Sequence, residues 1–197
     1  MNDKTPLIMT ISGGPRKDGC SAEMLRRFTG RLNASFVHYD AYDSHFAPCT
    51  DCRICREYEG CANSDMDAFF ADFETADGII IASPVYNLSF PAPMKAIIDR
   101  MQRYYSARFF LRKRPPIAKR RPVALLLSAG SCDEKGETAA RQLETVFTVT
   151  NCELLCRVVV NNTDHSGSIS DVGPIISREA ADFAASAGFI TNSSPNS

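Results

Sequence analysis

The sequence predicts an α/β fold, a doubly wound five-stranded parallel sheet with helices on both faces. Three observations lead there. Short apolar runs alternate with longer segments whose apolar residues recur at helical spacing, from residue 6 to about 190. Several runs end in small or turn-forming residues, as at Gly13–Gly14, Ser83–Pro84 and Ala129–Gly130. No internal repeat with a period of roughly 20 to 50 residues competes with this pattern. Strict alternation of this kind argues for parallel strands joined by crossover helices.

The elements follow in order. "PLIMTIS" (6–12) is an apolar run that suits a buried strand, and Met24, Leu25, Phe28 and Leu32 form a helical stripe over 20–32. "SFVHYD" (35–40) is a shorter strand, followed by an irregular stretch over 41–63. Ser64 precedes acidic residues in the manner of a helix cap, which predicts a helix over 64–76. "GIIIAS" (78–83) is a buried strand, and Met94, Ile97, Ile98, Met101 and Tyr105 line one face of a helix over 93–105. A strand over 122–130, a helix over 137–148, a strand over 153–160 and a helix over about 175–190 complete the set. The polar end "TNSSPNS" (191–197) reads as a flexible tail on a single domain spanning 1–190.

Composition narrows the function classes. The 197 residues are 44% hydrophobic and 23% charged, with a net charge of −1. That balance gives no support to nucleic acid as a partner or to membrane association. The N-terminus lacks a basic leader and a long apolar core, and no apolar run approaches the roughly 18 residues of a spanning helix. A cytoplasmic location is expected. In that reducing compartment, dense cysteines point to metal or redox chemistry more than to disulfides.

In an open parallel sheet, ligands sit beyond the carboxyl ends of the strands. Three loops there carry candidate residues. "SGGPRKDGCS" (12–21) combines two glycines, the positive Arg16 and Lys17, and Ser21 in the first turn of a helix, which is a phosphate cradle in kind. "ASPVYNLSFPAPMKAIIDR" (82–100) offers an aromatic face at Tyr86 and a polar group at Asn87. "SAGSCDEKG" (128–136) is rich in backbone donors. Each alone also reads as a plain connector.

Taken together, these loops resemble those of the flavodoxin-like NAD(P)H-dependent FMN reductases, and within them the iron–sulfur flavoproteins. The resemblance runs from about 6 to 185. It rests on Gly13-Gly14-Pro15-Arg16-Lys17-Asp18-Gly19-Cys20-Ser21, on Ser83-Pro84-Val85-Tyr86, and on Lys95-Ala96-Ile97-Ile98-Asp99-Arg100. It implies that Gly13, Gly14, Pro15, Arg16 and Ser21 wrap the FMN phosphate. It further implies that Pro84, Val85, Tyr86 and Asn87 lie along the ring and ribityl chain, and that Ala129, Gly130 and Ser131 approach the ring. Two positions depart from the family pattern. Gly14 stands where Ser is usual, removing a hydrogen bond worth about 0.5–1.5 kcal/mol, and Cys20 stands where Asn is common. Lys95, Asp99 and Arg100 read as helix-surface ion pairing or a subunit contact.

The irregular stretch holds "CTDCRICREYEGC" (49–61), with spacing C-x2-C-x2-C-x5-C. The resemblance implies that Cys49, Cys52, Cys55 and Cys61 hold a [4Fe–4S] cluster. The spacing ranks iron–sulfur above zinc, which more often uses two separated C-x2-C pairs, and free or reactive thiols remain a third reading. Cys152 and Cys156 read as packing residues, as do Cys20 and Cys132 in the two flavin loops. His38, His45 and His165 share no ligand spacing. The segment 108–122 is rich in Arg and Lys with no acid, and reads as a solvated loop or the rim of a subunit interface, or as a docking patch for NAD(P)H phosphates or an acidic electron carrier.

The function implied is an FMN-dependent oxidoreductase passing electrons between NAD(P)H, or a ferredoxin-like protein donor, and an acceptor, through the cluster where it is present. A homodimer or homotetramer is implied in the same way. The alternatives are a metal-free quinone or nitro-compound reductase, and a non-enzymatic electron carrier or redox sensor.

Overall fold

Leu7–Ser12 (β1), Ser35–Asp40 (β2), Gly78–Pro84 (β3), Arg121–Ser128 (β4) and Cys152–Val160 (β5) pair in the order β2-β1-β3-β4-β5, every neighbour parallel. The computed structural model describes residues 5–130, 135–163 and 173–191. Ser131, Cys132, His165 and the tail from 192 onward lie outside the described residues.

The sequence pattern explains the strand positions. β1, β3 and β4 are internal and covered on both faces, so they are apolar almost without interruption, and every residue from Gly78 to Ser83 is buried. β2 and β5 are edge strands with mixed exposure. Successive side chains alternate between two cores, as the strand period demands. Met9, Ile79, Ile81, Val123 and Leu125 face one side, and Ile8, Ile80, Ala124 and Leu126 the other.

The helices are α1 (Cys20–Thr29), α2 (Ala41–Ser44), α3 (Asp67–Thr75), α4 (Ala92–Arg100), α5 (Gln102–Phe109), α6 (Lys135–Arg141), α7 (Glu144–Val149) and α8 (Gly173–Ala187). α1 and α8 cover one face, where Phe28 meets Phe183 at 5.6 Å between ring centroids. α3, α4 and α7 cover the other with Phe69, Phe73, Ile97 and Phe147. Each such side chain contributes about 1.5–3 kcal/mol by leaving water.

The helix boundaries differ from the sequence expectation at several points. The segment 93–105 is two helices broken at Met101, so the buried tyrosine of the second is Tyr104, whose hydroxyl donates to Glu74. The segment 137–148 likewise splits between Arg141 and Glu144. The cap before α3 is Asn63, whose side chain accepts from the Asp65 N–H, and Ser64–Met66 is a 3₁₀ turn leading into the helix. α2 follows β2 directly because Asp40 accepts from the N–H groups of Tyr42 and Asp43 at 2.8 and 3.2 Å. Thr191, the first residue of the expected tail, bridges to Leu32.

Arg121 is fully buried at the start of β4. Its guanidinium donates to the carbonyls of Phe73 in α3 and Thr150 at the end of α7, and stacks over the Phe73 ring. It therefore sits at the negative ends of two helix dipoles at once.

Candidate functional site

The strand order places the topological switch between β1 and β3, with β4 next to β3. Backbone bonds carry the three strands past their ends. Gly13 N–H donates to Ala82 O, Val85 N–H to Ser128 O, and Ala129 N–H to Val160 O, each at 2.8 Å. The expected ligand residues of the first, third and fourth loops therefore share one edge. Ser131 alone among them lies outside the described residues.

Both glycines of the first loop are required by close approach. A Cβ on Gly13 would stand 2.6 Å from Ser83 Oγ and 2.9 Å from Ser83 Cβ. A Cβ on Gly14 would stand 2.8 Å from Ser21 Oγ and 3.2 Å from Pro84 Cδ. The hydroxyl missing at position 14 is thus not an empty place: the buried Ser21 hydroxyl occupies the space beside it. Gly19 caps α1 with no side-chain bond to its first N–H groups, and Arg16 folds back beside Gly19. A helix start left free in this way, with a guanidinium alongside, suits a phosphate. Lys17 does not join it. Two carboxylates, Asp40 and Asp43, take its ammonium at 2.6 Å each.

The loop after β3 is a two-residue turn closed by reciprocal bonds between Tyr86 and Ser89, both 2.9 Å. Asn87 and Leu88 at its tip have φ of 51° and 62°, as a type I′ turn demands. Asn adopts this conformation readily, but Leu does so at a cost, and such strain concentrates at ligand sites. Gln142, just after α6, braces the turn: its amide donates to Leu88 O at 3.0 Å and accepts from Ser89 Oγ at 2.9 Å. Tyr86 and Leu88 are left exposed, which suits a flat aromatic ligand. Beneath the loops, burial pushes the Cys20 thiol up, against a hydrogen bond with Ser128 and the charge of Arg16. Cys20 therefore packs as a neutral thiol.

The cysteines form a second region. Cys49, Cys52, Cys55 and Cys61 line one cavity of about 310 Å³ between the loop and the α4–α5 joint. Asp51 and Arg53, on either side of Cys52, have φ of 49° and 65°, and Gly60 before Cys61 has φ of 114°. These left-handed residues turn the chain sharply between successive cysteines. Cys55 Sγ lies 3.3 Å from Ser106 Oγ of α5. The thiols are free, and among the described residues no three His, Cys, Asp or Glu side chains converge closely enough to hold a metal as they stand. The donor type and shared cavity fit a thiolate-bound centre, with the final convergence left to the centre itself. His45 is exposed and does not line the cavity.

The Lys-x-x-x-Asp-Arg segment divides in two. Lys95 and Asp99 pair on the surface, as expected. Arg100 turns inward and is 2% exposed. Burial works against its charge, but Asp65 and Cys61 beside it more than offset this and raise its pKa. Burial also works against the Asp65 carboxylate, and the Arg100 guanidinium with the Ala47 N–H holds it below the usual range. At 3.6 residues per turn, Arg100 falls on the opposite flank of the apolar stripe from Lys95 and Asp99, a signal present in the sequence. Gln142 and Ser106 had no such signal.

The basic segment is partly neutralised by its own chain. Lys113 pairs with Glu59, Lys119 with Asp77 and Arg120 with Glu153, while Arg121 is buried.

The family model of the NADPH-dependent FMN reductases matches residues 6–164. The chain belongs to that family. It is an oxidoreductase with a flavodoxin-like fold. An iron–sulfur flavoprotein of Methanosarcina thermophila is 29% identical over 172 residues, covering 83% of this chain and 81% of that protein. An FMN-dependent NADH:quinone oxidoreductase of Stenotrophomonas maltophilia is 31% identical over 81 residues, covering 41% and 42%. Among solved structures, an NAD(P)H:quinone oxidoreductase from Methanothermobacter marburgensis superimposes with a TM-score of 0.68 at 18% identity, covering 93% and 98%, which supports the fold. Among the described residues of this FMN reductase relative, no helix is long and apolar enough to cross a membrane.

Proposed function

We propose that the protein binds FMN across the carboxyl ends of β1, β3 and β4. As one domain spanning 1–190, it moves electrons from NAD(P)H or a ferredoxin-like donor to an acceptor. The observation that carries this reading is the close approach at Gly13 and Gly14, which leaves the phosphate loop flat against β3 and next to an uncapped helix start. Gly13 to Arg16 and Ser21 hold the phosphate. Pro84 to Asn87 support the ring and ribityl chain, with Gln142 fixing the turn. Ala129 and Gly130 close the third side. Bound there, FMN supplies the hydride and electron chemistry, and the chain supplies position and electrostatics.

Cys49, Cys52, Cys55 and Cys61 are the residues that would hold a [4Fe–4S] cluster, which supplies one-electron transfer. Their common cavity supports this assignment. A cytoplasmic homodimer or homotetramer is the setting that the family resemblance implies.

Arg16→Ala tests the flavin site. Loss of a charge-assisted bond to phosphate weakens FMN binding by roughly tenfold or more, and unchanged affinity would sink the phosphate-loop assignment. Replacing Cys52 and Cys55 together by Ser tests the cluster through iron, sulfide and the visible spectrum. A second reading, a metal-free quinone or nitro-compound reductase, draws support from the similarity to the FMN-dependent NADH:quinone oxidoreductase of Stenotrophomonas maltophilia. Flavin without iron in anaerobically purified protein selects it.

A further inference from the structure

Arg100 closes α4 and is the buried member of its motif. One guanidinium nitrogen donates to Ala47 O at 2.9 Å, and the other to Asn63 O at 2.7 Å and to Asp65 Oδ1 at 2.8 Å. Ala47 lies two residues before Cys49, and Asn63 two residues after Cys61. A single side chain therefore ties together the two ends of the segment that carries all four cysteines.

Its third nitrogen, Nε–H, has no hydrogen-bond partner, although Arg100 forms part of the wall of the cysteine cavity. A buried cation with an unused donor is costly unless something anionic takes it up. Among the described residues its paired carboxylate is Asp65, which is engaged through Nη2 and not through Nε. The neighbouring Arg103 is otherwise engaged, stacked at 4.3 Å over the Phe70 ring and paired with Glu74 at 3.6 Å. Metal-bound thiolates are anionic acceptors, and the Cys61 thiol stands beside Arg100.

We infer that Arg100 is the positioning residue of the cysteine site: it clasps the loop shut around the cavity and offers its free Nε–H and its charge to thiolates bound to a metal centre. The charge role rests on the cluster reading above. The clasp stands on the metal-free geometry alone, so the two can fail separately.

The experiment compares wild type, Arg100→Lys, Arg100→Gln and, as a surface control, Lys95→Ala. In metal-free protein, hydrogen exchange of the amides over 47–63 is expected to speed up roughly tenfold or more in Arg100→Gln, and less in Arg100→Lys. The amides of β1, β3 and β4 should stay as in wild type. Equal exchange over 47–63 in all four proteins overturns the clasp. After anaerobic loading with iron and sulfide, the midpoint potential is expected to move to more negative values in Arg100→Gln. It should stay near wild type in Arg100→Lys and Lys95→Ala, because a nearby cation favours the reduced, more negative centre. Coincident potentials overturn the charge role and leave Arg100 a structural clasp. A wild type that takes up no iron, with the exchange difference intact, defeats the cluster reading and the charge role while supporting the clasp.

Discussion

Gly13→Ala puts the flavin-site geometry at risk in one substitution. The added Cβ would meet Ser83 Oγ at 2.6 Å, Ser83 Cβ at 2.9 Å and Met94 Cγ at 3.1 Å. Ser83 cannot simply turn away, because it is fully buried and its hydroxyl is bonded to Pro84 O at 2.9 Å. Its Cβ moves only with the backbone of β3, which is paired to β1 on one side and β4 on the other. Taking the Oγ contact to an ordinary distance needs an opening of about 0.8 Å between the two strand ends. Overpacking of this kind costs about 1–3 kcal/mol, which in a chain of this size lowers Tm by about 3–10 °C. The opening falls beside the phosphate loop, so FMN affinity should drop roughly tenfold or more, the equivalent of one charge-assisted bond. A thermal scan and a flavin-fluorescence titration read the two effects. A Tm within a degree of wild type, together with unchanged affinity, would refute the close approach of β1 to β3. Gly14→Ser sharpens the test. It restores the residue usual in the family, yet the space is held by Ser21, so it should weaken FMN binding, and by less in a Ser21→Ala background than in wild type, a coupling that a double-mutant cycle measures.

The remaining predictions probe other parts of the molecule. Arg121→Ala leaves a cavity and two orphaned helix-end carbonyls, at Phe73 and Thr150, and should cost at least about 3 kcal/mol in urea unfolding; a loss below 1 kcal/mol would show that the guanidinium is dispensable. The Lys17–Asp40 pair sets a pH window. Burial opposes the Asp40 charge, but Lys17 and the α2 N–H groups hold its carboxyl below the usual range, so its contribution is present above about pH 3.9 and fades as pH falls through the lower folded value. Asp40 and Asp43 raise Lys17, whose contribution is present below about pH 10.4 and fades as pH rises through the higher folded value. The stability difference between wild type and Lys17→Met should therefore be flat in between and shrink at both extremes; a difference that grows at either end contradicts the pairing. Burial, with the Glu179 carboxylate beside it, pushes the Cys156 thiol up to about 12. In metal-free protein, iodoacetamide at pH 8 should label it roughly a hundredfold or more slowly than the exposed Cys49 and Cys52, read by mass spectrometry.

The parts of the fold legible in the sequence are those set by one-dimensional physics. β1, β3 and β4 are covered on both faces, so their apolar runs announce them, and the glycines after β1 mark a turn that the structure needs. What was hidden depends on partners far along the chain. The apolar stripe through 94–105 is continuous in the sequence, yet the helix breaks at Met101, because α5 must turn to pack Tyr104 against α3 and Ser106 against Cys55. Arg100 reads as one charge among three until its contacts, 53 residues away at Ala47 and 37 at Asn63, are seen. Gln142 lies 53 and 54 residues from the turn it braces, and nothing local to it signals that role.

That break at Met101 ties the two regions together. α4 begins where the flavin loop ends, at the buried Phe90 and Pro91, and its last residue is Arg100. Its nine residues span about 13 Å. The residues between, Met94, Ile97 and Ile98, are packed into the core beneath the sheet, so the helix cannot slide without disturbing β1 and β3. Ending α4 at Arg100 and restarting at Gln102 lets Arg100 and Ser106 line one cavity, which a straight helix with the two residues six apart would turn toward different sides. The cysteine segment is therefore anchored to the same rigid body as the flavin loop, although its own backbone is irregular. An insertion that lengthens α4, such as an alanine after Ile98, rotates Arg100 by about 100° away from Ala47 and Asn63. It should loosen the cysteine segment in hydrogen exchange while FMN still binds. Simultaneous loss of FMN binding would instead show that the flavin loop depends on the far end of the helix as well.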